Sequence, residues 1–524
     1  MRFRRRVECV FAAALIAVAG ATGSKAAPLE SERMNVLFIS VDDLRPELGA
    51  YGAPVVTPNI DRLADAGLRF DHAYAQVSAC AASRAALLTG TYPHTSGVYL
   101  MRPSLGEANP GLVTMPQLFK DAGYETIEIG KFVHLPEDTP GAWSRERWMP
   151  EWNPPEYYEP MNRGHTGRRE RPRGPVTEGA DVSDDTYLDG KLAAHAVAEL
   201  RRLKDRPFFL AVGFVRPHLP FNCPRKYWDL YDRRNIVLPD TISRERVPNA
   251  EWHGNYEPAM YQGGRTIGEL TGRRLIHGYR ACVSYIDAQV GRLLDELDRL
   301  GLSERTLVVL WGDHGWHLGE HGIWGKNTAL DVALRVPLIV RQPGRVGGES
   351  TKALVETVDI LPTLCELAGI SVPDQVEGLS FVRLLEDPKR PGKRAVFGWR
   401  QRAGLDGQTV RTPRYRLVRW AKRKKPGRLL GLELYDHEND PREYVNLARL
   451  PEHADTVKRL NAMLDAWLRH EPVGLAEPDA ALGSAASGNS PGLRAALGWS
   501  LALAVLGVAG VLLLWRSITR TGSR

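Results

Sequence analysis

The chain has 524 residues, 43% of them hydrophobic and 25% charged, which excludes a disordered or fibrous protein and leaves room for a large core with a smaller second unit. Its net charge of +7 sits at the two ends: Arg2, Arg4, Arg5 and Arg6 against Glu8 near the start, and Arg494, Arg516, Arg520 and Arg524 near the finish. The body between them is neutral, so the charge points to no nucleic-acid partner.

In chain order, the N-terminal arginines precede an apolar stretch over 10–19 and a small-residue site at Ala19-Gly20-Ala21. That is the pattern of a secretory signal peptide over 1–24, with a retained N-terminal anchor as the alternative. The body opens on Asn35-Val36-Leu37-Phe38-Ile39-Ser40-Val41, a continuous apolar run typical of a strand buried on both faces. Comparable runs follow at 126–129, 207–214, 306–310 and 336–340. Amphipathic helical patterns lie between them at 57–66, 191–203 and 278–300, the last with Val283, Ile286, Val290, Leu293, Leu294 and Leu297 at helical spacing. This alternation predicts an α/β fold over 35–377 with a mainly parallel central sheet flanked by helices.

Segment 135–181, rich in Pro, Trp, Tyr and Arg, interrupts the alternation and reads as a long loop insertion facing substrate. Short strands at 395–399, 415–420 and 433–435 and a helix at 454–468 predict a smaller C-terminal α+β subdomain over 378–471. Residues 472–494 read as a flexible linker. Residues 495–515 carry no charge, and at about 1.5 Å per residue they reach across one bilayer core. The basic tail 516–524 places its own side in the cytoplasm. The expectation is an exported body, periplasmic or cell-surface, anchored by a C-terminal transmembrane helix; a sorting signal that is later removed reads the same way.

Sites in open α/β sheets form beyond the carboxyl ends of the strands. Here those ends carry Asp42-Asp43, Gly130-Lys131 with His134 behind, Arg216-Pro217-His218, and Asp313-His314. Three carboxylates in one place repel unless a cation lies among them, and hard oxygen ligands favour Ca2+ or Mg2+ over Zn2+. Taken alone, Asp42-Asp43 is more often a turn or a helix cap than a metal site, and Asp313-His314 alone reads the same way. Cys80-Ala81-Ala82-Ser83-Arg84 leads into a helical stretch whose start suits an anion. With Cys223, Cys282 and Cys365 the body holds too few cysteines for a disulfide framework. Cys80 reads as a small buried residue or as a thiolate nucleophile with His134 or His218 as base.

The run from Ser78 to Gly90 resembles the signature of the sulfatases. Four further segments resemble that family in the right order: Gly130-Lys131-Phe132-Val133-His134, Val215-Arg216-Pro217-His218-Leu219-Pro220-Phe221, the stretch from Gly312 to Gly322 continuing to Lys326, and Leu434-Tyr435-Asp436 through Asp440-Pro441. The resemblance covers roughly 35–450. It implies an alkaline-phosphatase-like sulfatase fold and hydrolysis of sulfate esters. It also implies oxidation of Cys80 to formylglycine by a formylglycine-generating enzyme. One hydroxyl of the hydrated aldehyde attacks sulfur, and the other then loses its proton to expel sulfate. Asp42, Asp43, Cys80, Asp313 and His314 would hold Ca2+, with Mg2+ and Mn2+ as substitutes. Arg84 and His134 would orient the nucleophile, Lys131 and Lys326 would neutralise sulfate oxygens, and His218 would serve the leaving oxygen.

One departure stands at Ala82, where the family usually has Pro, so slower conversion of Cys80 is expected. Arg411, Arg414, Arg416, Arg419, Lys422, Arg423, Lys424, Lys425 and Arg428 form a basic run, either a solvated loop or a polyanion subsite. Trp143, Trp148, Trp152, Tyr157 and Tyr158 either stack on sugar faces or are buried under the insertion. The substrate expected is a sulfated carbohydrate. The competing functions are a metal-dependent phosphoesterase or phosphonate hydrolase of the same superfamily, and a non-catalytic binder of sulfated glycans.

Overall fold

The computed structural model of the chain describes residues 33–150, 157–159, 161–162, 173–241, 250–402, 404–471 and 474–476. Its central sheet has eight strands: β1 (Asn35–Val41), β2 (Leu68–Tyr74), β3 (Glu125–Gly130), β4 (Phe208–Phe214), β5 (Thr306–Gly312), β6 (Arg335–Arg341), β7 (Glu349–Thr351) and β8 (Val355–Glu356). Their order is β7-β2-β6-β5-β1-β4-β3, with β8 also on β2. All run parallel except β6, which is antiparallel to both β2 and β5. The predicted strand at 336–340 is therefore present with its direction reversed. β2 escaped prediction because its buried positions are broken by Arg69, Asp71 and His72.

Alternation along β1 splits the core into two layers. Leu37, Ile39 and Val41 face a cluster built on α1 (Pro58–Asp65), α3 (Leu188–Leu203) and α4 (Glu269–Arg299). Val36 and Phe38 face the opposite cluster, with Leu87 and Leu88 of α2 (Cys80–Thr89) and Ile360 and Leu364 of α5 (Ile360–Ala368). Each fully buried side chain of this kind contributes about 1.5–3 kcal/mol. The 31-residue α4 starts nine residues before the predicted helix. Its missed first turns hold Gly272, which weakens the helical signal; a Cβ at Gly278 would lie 2.8 Å from Phe221 Cβ, so this helix packs closely where a side chain would block it.

The C-terminal part forms an antiparallel meander of β9 (Val396–Arg402), β10 (Leu405–Arg411), β11 (Tyr415–Lys422) and β12 (Lys425–Asp436). Leu460, Leu464 and Trp467 of α6 (Ala454–Leu468) pack on it against Phe397, Trp399, Leu417 and Leu434. The inserted segment is not wholly a loop: Arg173–Pro175 pairs with Tyr261–Gln262, and Thr177–Glu178 with Phe221–Asn222.

One expectation is corrected. Among the described residues no helix is long and apolar enough to cross a membrane, so the membrane-anchored placement of an exported body is not retained. Residues 1–24, 495–515 and 516–524, on which it rested, lie outside the described residues.

Candidate active site

The sheet register brings the catalytic candidates to one level. Val41 pairs with Phe214 on one side and Gly312 on the other, and Gly130 pairs with Gly213. The residues that follow, Asp42, Lys131, Val215 and Asp313, therefore emerge side by side. A Cβ at Gly213 would lie 2.1 Å from the Lys131 carbonyl carbon, so only glycine lets the Lys131 backbone close on β4, where its N–H donates to Gly213 O at 2.8 Å. The His218 loop is held by Asp189 at the start of α3, whose carboxylate accepts from Val215 N–H at 2.6 Å.

The three carboxylates are buried and close. Asp43, in the left-handed region at φ 60°, donates its N–H to Asp313 Oδ1 at 2.9 Å. Arg84 reaches under the cluster, to Asp313 Oδ2 at 3.0 Å and Asp42 Oδ1 at 3.3 Å, and donates to the carbonyls of Lys131 and Phe132. It knits the carboxylates together. Lys131 Nζ bonds Asp42 Oδ2.

Cys80 begins α2 behind Ala79, which offers no side-chain cap, so the first-turn N–H groups stay available to an anion. Lys326 Nζ donates to Cys80 Sγ at 3.2 Å and to Asp43 Oδ1 at 2.6 Å. His314 Nδ1 lies 3.0 Å from the Gly315 carbonyl and must carry its proton there. The Nε2 lone pair then faces Cys80 Sγ at 3.3 Å, Asp43 Oδ1 at 3.4 Å and Asp313 Oδ1 at 3.7 Å. His218 is oriented the same way, Nδ1 on Leu219 O at 2.8 Å, and it shares a ligand-type group with Asp42 and Asp43. His134 stands behind Lys131, and among the described residues its buried Nδ1 has no hydrogen-bond partner.

The electrostatics separate the three acids. Burial opposes ionisation of Asp42, but Lys131 and Arg84 outweigh it and hold its carboxyl well below the usual range. Burial raises Asp43, and Asp42 and Glu257 add to it against Lys326. Burial and Asp42 push Asp313 up to about 7. Burial, together with Asp42, raises the Cys80 thiol well above its usual value against Lys131 and Lys326. Burial and the nearby lysines keep His314 and His218 neutral.

These residues fit a hard divalent cation. Among the described residues Asp43 Oδ2 is buried without a partner, and burial, with Asp42 adding to it, raises both Asp43 and Asp313 although Lys326 stands beside the one and Arg84 beside the other. Ligand atoms of Asp42, Cys80, Asp313 and His314 lie within 4.8 Å of one another. The set is dominated by carboxylate oxygen.

Residues without any sequence signal also reach the site. Glu257 Oε1 stands 3.9 Å from Lys326 Nζ and accepts the Tyr256 hydroxyl at 3.1 Å. Arg400 of β9 faces Glu251, Tyr256 and Glu257, and burial lowers its guanidinium to about 10. The basic run resolves the other way. Arg416 is buried on Asp331 and Glu443, Arg414 pairs with Asp436, Arg419 with Asp465 and Arg423 with Asp406. Most of its arginines are thus neutralised, against a polyanion subsite there. Of the aromatics, Trp143 packs on Phe132 and Phe209, Trp148 stacks on His195 at 3.9 Å, and the hydroxyls of Tyr157 and Tyr158 bond Pro175 O and Thr186 O. They build the insertion; Trp152 lies outside the described residues.

The profile of the Sulfatase family matches residues 34–370, and that described as N-sulphoglucosamine sulphohydrolase, C-terminal, matches 319–470. Iduronate 2-sulfatase of Mus musculus is 36% identical over 402 residues, 67% of this chain and 71% of that protein. An ulvan-active sulfatase of Formosa agariphila is 29% identical over 460 residues, 84% of this chain and 82% of its own. Among solved structures, a phosphonate monoester hydrolase of Agrobacterium radiobacter shares the fold with a TM-score of 0.72 at 23% identity, over 84% of this chain and 96% of that one. A 2-O GAG sulfatase superposes with a TM-score of 0.66 at 25% identity, over 85% and 96% of the two chains. This chain belongs to the sulfatase family, the hydrolases of sulfuric esters.

Proposed function

We propose that the protein removes sulfate from a sulfated sugar or polysaccharide, in the manner of iduronate 2-sulfatase, with Cys80 converted to formylglycine and Ca2+ held by Asp42, Asp43, Asp313 and His314. Residues 35–377 would form the catalytic domain, with 378–471 contributing Arg400 from its first strand. The observation that carries this reading is the placement of Cys80 Sγ 3.2 Å from Lys326 Nζ and 3.3 Å from His314 Nε2, beside three buried carboxylates.

A thiolate mechanism fits poorly. Burial raises the thiol well above its usual value, and its hydrogen-bond partners among the described residues are His314 and Lys326, not the candidate bases His134 and His218. Formylglycine, once formed, supplies a hydrated aldehyde whose second hydroxyl lets sulfate depart without attack by water. Bound Ca2+ would supply Lewis-acid polarisation of sulfate oxygens. With a divalent cation bound, all three aspartates would be ionised; Lys131, Lys326 and Arg84 would balance their charge, and the cation would leave an excess positive charge suited to an anionic ester. Lys131 and Lys326 then meet the charge that grows on the sulfate oxygens. His218 is neutral without substrate; bound sulfate offsets the two lysines and lets its Nε2 hold the proton required by the leaving oxygen.

Mass spectrometry of the tryptic peptide from Phe70 to Arg84 tests the proposal. Protein from its native host should contain a fraction that has lost the thiol and resists alkylation; a fully alkylatable Cys80 would defeat the reading. Cys80→Ala should abolish turnover with the fold intact. A higher kcat/KM on an aryl phosphate than on the matched aryl sulfate would favour a phosphoesterase, and glycan retention without sulfate release would favour a binder.

A further inference from the structure

Away from the catalytic cluster, three ligand-type side chains distant in sequence meet at the surface. His94 sits in the helical turn Pro93–Ser96, Glu377 follows α5, and His470 lies just beyond α6. His470 Nδ1 is 2.9 Å from Glu377 Oε1, and His94 Nε2 is 4.0 Å from the same oxygen. One ligand atom from each of the three falls within 4.8 Å of the others.

His94 supplies the independent sign of a ligand. Its side chain is only 10% exposed, yet among the described residues neither ring nitrogen has a hydrogen-bond partner. Buried polar groups are nearly always satisfied, so this imidazole calls for something the protein itself does not provide. It is not free to swing away: it stacks on Tyr92 at 5.8 Å and 10°, and meets the edge of Trp467 at 4.9 Å and 84°. Glu377 is equally constrained, because its Oε2 accepts the Tyr92 N–H at 2.7 Å and leaves Oε1 toward the two histidines. Glu377 and His470 line a surface groove through which an ion can arrive.

We infer that His94, Glu377 and His470 form a second metal site, taking a borderline divalent transition ion such as Zn2+. Two imidazoles and one carboxylate with a fourth position open to water are a zinc donor set, whereas the catalytic cluster is built for a hard cation. Binding gives His94 its partner and replaces the hydrogen bond between His470 and Glu377; a metal on Nδ1 leaves the ring proton of a neutral His470 on Nε2. The ion fastens the chain just beyond α6 to the segment following α2 and to the loop after α5. Its role is structural, and its binding free energy adds to that of folding.

The test uses full-length protein stripped with chelator and then saturated with Ca2+, to which Zn2+ is added while Tm is followed; Co2+ serves as a spectroscopic probe in parallel. The wild type should gain several degrees in Tm and show Co2+ visible bands. His470→Ala, at an exposed residue outside the catalytic cluster, should lose both responses while keeping its Ca2+-supported activity, and Glu377→Gln should weaken them. No response in the wild type would overturn the inference. Equal responses in the wild type and in His470→Ala would overturn it too, since they would place the ion elsewhere.

Discussion

The ammonium of Lys326 lies 3.2 Å from the Sγ of Cys80, although 246 positions separate the two residues. It is tied at the same time to Asp43 Oδ1 at 2.6 Å, which fixes its direction. A buried cation so placed meets charge developing on a group attached at residue 80. With saturating Ca2+, Lys326→Ala should lower kcat on an aryl sulfate by about 10²–10³-fold. Steady-state kinetics check this, and a loss under tenfold would remove Lys326 from the charge-stabilising role.

Arg84 carries a structural load that its position in the signature does not reveal. Its side chain is 1% exposed and bonds two aspartates and two carbonyls. Arg84→Met leaves Asp42 and Asp313 without that partner and should cost about 3–5 kcal/mol in urea unfolding.

The unpartnered Oδ2 of Asp43 predicts a large response to cation. Chelation should abolish activity, Ca2+ should restore it, and Ca2+ should raise Tm in the wild type. Asp43→Asn should weaken Ca2+ binding measured by calorimetry by at least about tenfold, since it removes one charged ligand.

Glu128 sets a pH dependence that can be isolated. It lies on β3 beneath the loop carrying His134, accepts the Val133 N–H at 2.9 Å, and is raised by burial from 4.5 to about 7. The folded state thus binds a proton that the unfolded state releases at lower pH. The resulting stability is complete below about pH 4.5 and is lost as pH rises through about 7. Glu128→Gln keeps the acceptor oxygen and removes the titration. Its stability relative to the wild type should increase across that window by up to about 3 kcal/mol. Parallel unfolding curves for the two proteins at each pH would refute this.

Ala82 offers a gain rather than a loss. It lies in the first turn of α2, before the helix's first i to i−4 bond, Ser83 N–H to Ala79 O at 2.9 Å. A proline there sacrifices no intrahelical hydrogen bond. Ala82→Pro should raise the converted fraction of Cys80, read as the proportion of non-alkylatable peptide after co-expression with a formylglycine-generating enzyme.

The apolar runs of β1, β4 and β5 and the charged residues just past them were legible along the chain. A strand buried on both faces must be continuously apolar, so its end is marked by the first polar residue, and here that residue belongs to the site. The spacing of Asp42, Lys131, His218 and Asp313 behind such runs thus foretold their meeting. The reversed direction of β6 was not legible, because strand polarity leaves no mark on side-chain period. The pairing of Arg416 with Asp331 and Glu443 was equally hidden, and with it the neutralisation of most arginines in the basic run.

What the sequence by itself determined is local: which segments are buried, where they end, and which chemical groups stand at those ends. Only the tertiary structure decided that Arg84 bridges Asp42 and Asp313, that Glu257 belongs beside Lys326 with Arg400 facing Glu257, and that His94 lies next to Glu377 and His470 with no ring hydrogen bond among the described residues. Those relationships join residues far apart in the chain. They arise from how layers pack and strands register, a property of the whole fold that no local window contains.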